Sequence, residues 1–211
     1  MSLSELRSRN VDRVVETALE SFIKIGIERT RVIDVAAKAD LTERSIYRYF
    51  ATKTDLVRAS LILCWTQNVS KVRGRWEEIE STYEKGSDRV FEILMTYAEL
   101  FVNSKNLLVF VQEAEVYLYR HNLNGSIPGI PVATDNFVDI PLAKAIEKGL
   151  EDGSIAPTEA LPFFLPNAFD GLLGLLQKMA HSTYYERSDA ETVHRRLESF
   201  CRALISQIEA M

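Results

Sequence analysis

Apolar side chains recur along this chain at intervals of three and four, and strand-like alternation is almost absent. That period places one apolar stripe on each of a series of helices, so the pattern predicts an all-α fold of about nine helices. The first helix is expected over about residues 8–25, with Val11, Val14, Val15, Ala18, Leu19, Phe22 and Ile23 on one face and Gly26 ending it. A short second helix follows from about Thr30 to Lys38, with Val32, Val35 and Ala36 inward. After the turn at "ADL", Thr42 supplies the N-cap of a third, in which Ile46 and Phe50 face inward and Leu41 staples the entry. Three such helices with a tight turn before the last form a helix-turn-helix unit.

The fourth helix is predicted to be long, from about Thr52 to Ser81, because Trp65, Val69, Val72, Trp76 and Ile79 continue a single stripe. Helices are expected over about 87–103, 105–121, 135–151, 159–182 and 189–210. Residues 122–134, with two Gly, two Pro and two Asn, read as a long loop. The segment "FFLPNAFDGLLGLLQKMA" is apolar nearly all round and carries Gly171 and Gly174, where another helix could approach closely. Pro166 should kink it. Apolar surface in surplus on the last two helices predicts a homodimer. The division expected is 1–53 for the helix-turn-helix part and 54–211 for a larger helical bundle.

Composition changes this picture little: 211 residues, 46% hydrophobic and 26% charged, are ordinary for a folded domain. No apolar run is long enough for a membrane span, and the N-terminus lacks the apolar core of a secretory signal. Cys64 and Cys201 stand far apart with no C-x-x-C, so a cytoplasmic location is expected. Charge changes the picture more. The net charge is −5, yet residues 1–60 hold 11 Lys and Arg against 9 Asp and Glu, while the remainder holds 14 against 21. The basic excess at one end of an acidic chain points toward a polyanionic partner.

The third helix concentrates that chemistry. Its stretch "LTERSIYRYF" sends Ile46 and Phe50 to one side and Arg44, Ser45, Tyr47 and Arg48 to the other. Side chains on the first turn of such a helix reach base edges in a major groove, and its helix N-terminus favours phosphate. Thr42, Tyr49 and Lys53 extend the set, and Arg29 and Arg31 are placed to hold the other strand. Any one of these residues is what a solvated helix face carries; their clustering on one short helix is what predicts DNA binding. His121, His181 and His194 show no metal spacing, and no P-loop, G-x-S-x-G or G-x-G-x-x-G occurs. An enzyme is therefore disfavoured and no cofactor is expected. A protein-interaction module that uses the basic helix against an acidic partner is the other alternative.

The run "ALESFIKIGIERTRVIDVAAKADLTERSIYRYFATKTDLV" carries Gly26, the pattern Thr30-x-x-x-Asp34-Val35-Ala36-x-x-Ala39, then Thr42, Ser45, Ile46-Tyr47, Tyr49-Phe50, Lys53 and Leu56. Residues 10–57 thereby resemble the DNA-binding domain of the TetR family of transcriptional regulators. The resemblance implies that Thr42, Ser45, Tyr47, Tyr49 and Lys53 touch DNA. Two positions depart from the family pattern: Arg44 stands where a small residue is usual, and Asp40 where the turn usually has Gly. The resemblance also implies that helices four to seven enclose a small-molecule pocket and that the last two helices pair two subunits. Candidate pocket residues are Trp65, Phe101, Phe110, Glu113, Tyr117 and Phe137. The function implied is a ligand-responsive regulator, a repressor, that binds a palindromic operator as a homodimer and is released by an effector.

Overall fold

The computed structural model describes residues 2–121, 141–181 and 188–210, without the side chains of Leu3 and Phe101. The long loop expected at 122–134 and the start of the helix expected from 135 lie outside the described residues. Ten helices are present among those described: α1 (Leu3–Ile25), α2 (Val32–Lys38), α3 (Glu43–Tyr49), α4 (Lys53–Gly74), α5 (Trp76–Thr82), α6 (Gly86–Val102), α7 (Lys105–Arg120), α8 (Pro141–Asp152), α9 (Leu161–Ala180) and α10 (Ala190–Ile205). The all-α architecture, with a three-helix N-terminal unit, is the one the periodicity predicts.

In the N-terminal half two boundaries differ from that reading. The long fourth helix is split, because α4 ends at Gly74 and α5 starts afresh at Trp76. Glycine costs a helix about 1 kcal/mol relative to alanine, and the apolar stripe passes over the break without registering it. Helix α1 starts earlier than residue 8, at Leu3, because Ser2 and Glu5 form a capping box: Glu5 N–H donates to Ser2 Oγ (3.2 Å) and Ser2 N–H to Glu5 Oε2 (2.8 Å).

The chain divides into two compact units, Met1–Gln67 with Asn106–Ile130, and Asn68–Lys105 with Pro131–Met211, each taken over its described residues. In the first, α1, α2, α3, the start of α4 and most of α7 share a core that includes Phe22, Val35, Ile46, Leu61 and Phe110, all buried. The rings of Phe22 and Phe110 stack with centroids 6.0 Å apart. In the second unit, α6 packs on α8 where Gly86 meets Gly149, since a side chain at Gly86 would run into the α8 backbone. Tyr97 on α6 meets Phe169 on α9 edge to face, centroids 5.2 Å apart. Helix α9 runs on through Pro166. Gly171 faces Phe200 of α10, whereas nothing lies within 4 Å of where a Gly174 side chain would begin. The expected last helix stops at Ile205. The following turn buries Ile208, and Glu209 pairs with Ile155 in an isolated bridge.

Candidate nucleic-acid interface

Local chemistry dictates how α3 is presented. Gly26 closes α1 with φ +84°, its N–H donating to Phe22 O at 2.9 Å. A Cβ at Gly26 would only touch the Glu113 carboxylate, at 3.4 Å, so it is the positive φ that calls for glycine there. Asp40 takes the left-handed conformation, φ +52°, that the turn before α3 requires; aspartate bears that conformation better than most residues. Thr42 then caps α3, accepting from Ser45 N–H at 3.2 Å, and the two hydroxyls lie 2.9 Å apart. Ile46, 1% exposed, pins the helix to the core.

The outward face of α3 carries the residues expected there. Arg44 and Arg48 are exposed, Tyr47 is 47% exposed, Thr42 is exposed, and Ser45 and Tyr49 are half-buried. Arg48 donates to Tyr49 Oη at 3.3 Å, and this bond, helped by Asn10 and by the charges of Arg48 and Arg7, holds the phenol below its ordinary pKa. Arg44 and Arg48 form no ion pair with any described residue.

Three cations expected at the interface are otherwise engaged. Arg29 Nε donates to Ile25 O at 2.7 Å. Arg31 donates a fork of two 2.8 Å bonds to Asp34. That pair is exposed and screened by water, so it yields readily to a phosphate. Lys53 is half-buried. Its ammonium lies 3.4 Å from Glu28 O and 5.9 Å from the Tyr117 ring centre, and burial lowers its pKa, opposed by Glu28.

The expected pocket residues separate. Trp65 and Phe110 are buried core. Glu113 and Tyr117 do come together, lining a cavity of about 270 Å³ in the first unit with Ile27, Glu28, Gln112 and Arg120. In it Glu113 Oε2 accepts from Ile27 N–H at 3.2 Å. The side chain of Phe101 and all of Phe137 lie outside the described residues. A second cavity, about 230 Å³ in the second unit, is lined by Arg73, Trp76, Pro141 and Lys144, none of them among the expected pocket residues. The roles of Arg7 and Asn10 were missed too. The Ser2-x-x-Glu5 capping signature, which lengthens α1, was the signal that could have brought them in.

Fold and site together define an all-helical protein with an N-terminal helix-turn-helix. Residues 14–60 match the family model of the bacterial regulatory proteins of the tetR family. Solved structures share the fold over nearly the whole chain. A regulator assigned to the TetR family from Mesorhizobium loti is 14% identical, with a TM-score of 0.74 and coverage of 97% of this chain and 98% of that one. A TetR family transcription regulator from Marinobacter aquaeolei is 15% identical, with a TM-score of 0.64 over 99% and 100%. The fatty acid degradation regulator FadR from Bacillus halodurans is 13% identical, with a TM-score of 0.61 over 92% and 94%. No curated protein matches the chain. The chain thus has the TetR-family transcriptional regulator fold, and its residues 14–60 carry that family's sequence signature. No described helix is long and apolar enough to cross a membrane.

Proposed function

We propose that this protein is a cytoplasmic, ligand-responsive transcriptional repressor that acts by binding and not by turnover. Residues 1–53 read DNA, and residues 54–211 bind an effector and dimerise. The observation that carries the reading is the outward face of α3, where Arg44 and Arg48 stand without carboxylate partners among the described residues, beside Thr42, Ser45, Tyr47 and Tyr49. A short capped helix of this kind, clamped from behind by Ile46, suits a major groove, with its first turn toward the base edges. Arg31 and Lys53 would join the interface by exchanging Asp34 and the Glu28 carbonyl for phosphate oxygens.

A homodimer through α9 and α10 would set two recognition helices about 34–36 Å apart, one turn of DNA, on a palindromic operator. Support comes from α9, where Phe163 is 63% exposed and Gly174 opens onto free space. The effector acts by favouring a different spacing of the two reading helices, with a coupling of about 1–3 kcal/mol. Of the residues expected to touch it, Glu113 and Tyr117 line the cavity in the first unit, beside the turn that precedes α2.

Tyr47→Ala and Lys53→Ala should each weaken binding to all duplexes, and Lys53→Ala, which removes a charge, should also flatten the dependence of log Kd on log salt by about 0.9. Unchanged affinity and slope in both would refute this placement of α3. Thermal-shift screening of small molecules identifies the effector class, since a ligand raises Tm by mass action.

A further inference from the structure

The first two turns of α1 carry arginines that form no ion pair with any described residue. Those turns exist because Ser2 and Glu5 cap each other, which also commits Glu5, the nearest carboxylate in sequence. Arg7 and Arg9 lie there, exposed, with Arg13 one turn further on. The Arg7 guanidinium lies over the Tyr49 ring, 5.9 Å from its centre, and that of Arg48 lies over the same ring at 5.3 Å. Two other arginines of this unit do find acids: Arg31 has Asp34 and Arg58 has Asp55. Neither Arg7 nor Arg48 has one among the described residues. Two cations over one ring repel each other. The ring offsets part of that repulsion, and an anion between them would offset the rest.

We propose that Arg7 and Arg48, arrayed over Tyr49, form a clamp for a backbone phosphate of the bound duplex, so that α1 as well as α3 holds the DNA. The inference rests on the DNA-binding reading of α3 given above. Dimensions favour a phosphate over a base as the anion. Helix α3 has seven residues, so it spans about 10 Å at about 1.5 Å per residue. A major groove is about 12 Å wide. With the first turn of α3 at the base edges, its last turn, where Tyr49 sits, meets the strand bordering the groove. Guanidinium forks match phosphate oxygens in geometry as well as charge. Arg7 also lies ahead of residues 14–60, the segment matched to the family model, so that match does not include this contact.

The test measures binding of a mixed-sequence fluorescent duplex to the full chain at several salt concentrations. Arg7→Ala and Arg48→Ala should each weaken binding about tenfold at about 0.1 M salt, equally for all sequences, and flatten the salt slope by about 0.9. Arg7→Lys, which keeps the charge and loses the planar fork, should keep the slope and lose part of the affinity. Arg9→Ala, one position from the same turn but without the ring contact, should change binding less than Arg7→Ala. Wild-type affinity and slope in Arg7→Ala would overturn the clamp while leaving the reading of α3 intact. Equal losses in Arg9→Ala and Arg7→Ala would overturn it too, since diffuse charge would then suffice. A wild-type protein that fails to bind duplex at low salt would overturn both.

Discussion

Arginines on α1 and α3 of the first unit and those of the second are used in opposite ways, although Arg31 and Arg58 of the first are paired as well. In the second, Arg75 reaches Glu78 and Glu99, Arg89 reaches Glu80, Arg195 reaches Glu191 and Arg202 reaches Glu198, all within 4 Å. On α1 and α3 of the first, Arg7, Arg9, Arg13, Arg44 and Arg48 reach no carboxylate among the described residues. Exposed pairs are worth only about 0–1 kcal/mol, so pairing contributes little to the fold in either unit. Its main consequence is the field. Paired arginines cancel at short range, whereas unpaired ones project a positive potential that draws a polyanion. The overall charge of −5 hides this contrast completely.

The largest effect should come from removing the floor beneath the unpaired face. Phe22 is 1% exposed and stacks on Phe110. Phe22→Ala should therefore cost about 3–5 kcal/mol, read as a lower Tm with loss of duplex binding in the same sample. Next comes Glu113. Replacing it with Ala leaves Ile27 N–H without its acceptor, for about 1–2 kcal/mol, while Glu113→Gln keeps an oxygen there and should recover most of the loss in denaturant unfolding. Arg202 sharpens the contrast from the other side. It pairs with Glu198 and lies over the Phe91 ring at 4.5 Å, so Arg202→Ala should cost at most about 1 kcal/mol and leave the salt slope of duplex binding untouched.

The smallest effect is a pH dependence. The bond from Arg31 holds the Asp34 carboxyl below its ordinary value of 3.8. A depressed carboxyl contributes stability above the unfolded value and loses it as pH falls through the folded one. The Tm difference between wild type and Asp34→Asn should accordingly be present near neutral pH and fade as pH falls below about 3.8.

What the sequence made legible was local. The three-four spacing separates Ile46 from Arg44 and Tyr47 on a helix of two turns, and Thr42 and Asp40 declare the turn that aims it. Long-range partners were not legible. Glu113 bonds the backbone of Ile27, 86 positions away, and no pattern within α7 announces that. Tyr117 reads as a pocket residue and does line a cavity, but nothing in the sequence sets Lys53 over its ring. The break at Gly74 escaped because an apolar stripe reports which face is buried and says nothing about continuity of the backbone. The early start of α1 was legible in Ser2 and Glu5, but no apolar periodicity reaches that far and the cap alone carries it.

The central claim, that α3 lies in a DNA groove with its cations turned to the duplex, is tested most directly by selecting DNA from a random duplex pool with the wild-type chain at about 50 mM salt. The account predicts enrichment of an inverted repeat whose half-sites lie about 10 base pairs apart, with binding that weakens steeply as salt rises. A pool that emerges unenriched, or a protein that retains no duplex at that salt, would contradict it.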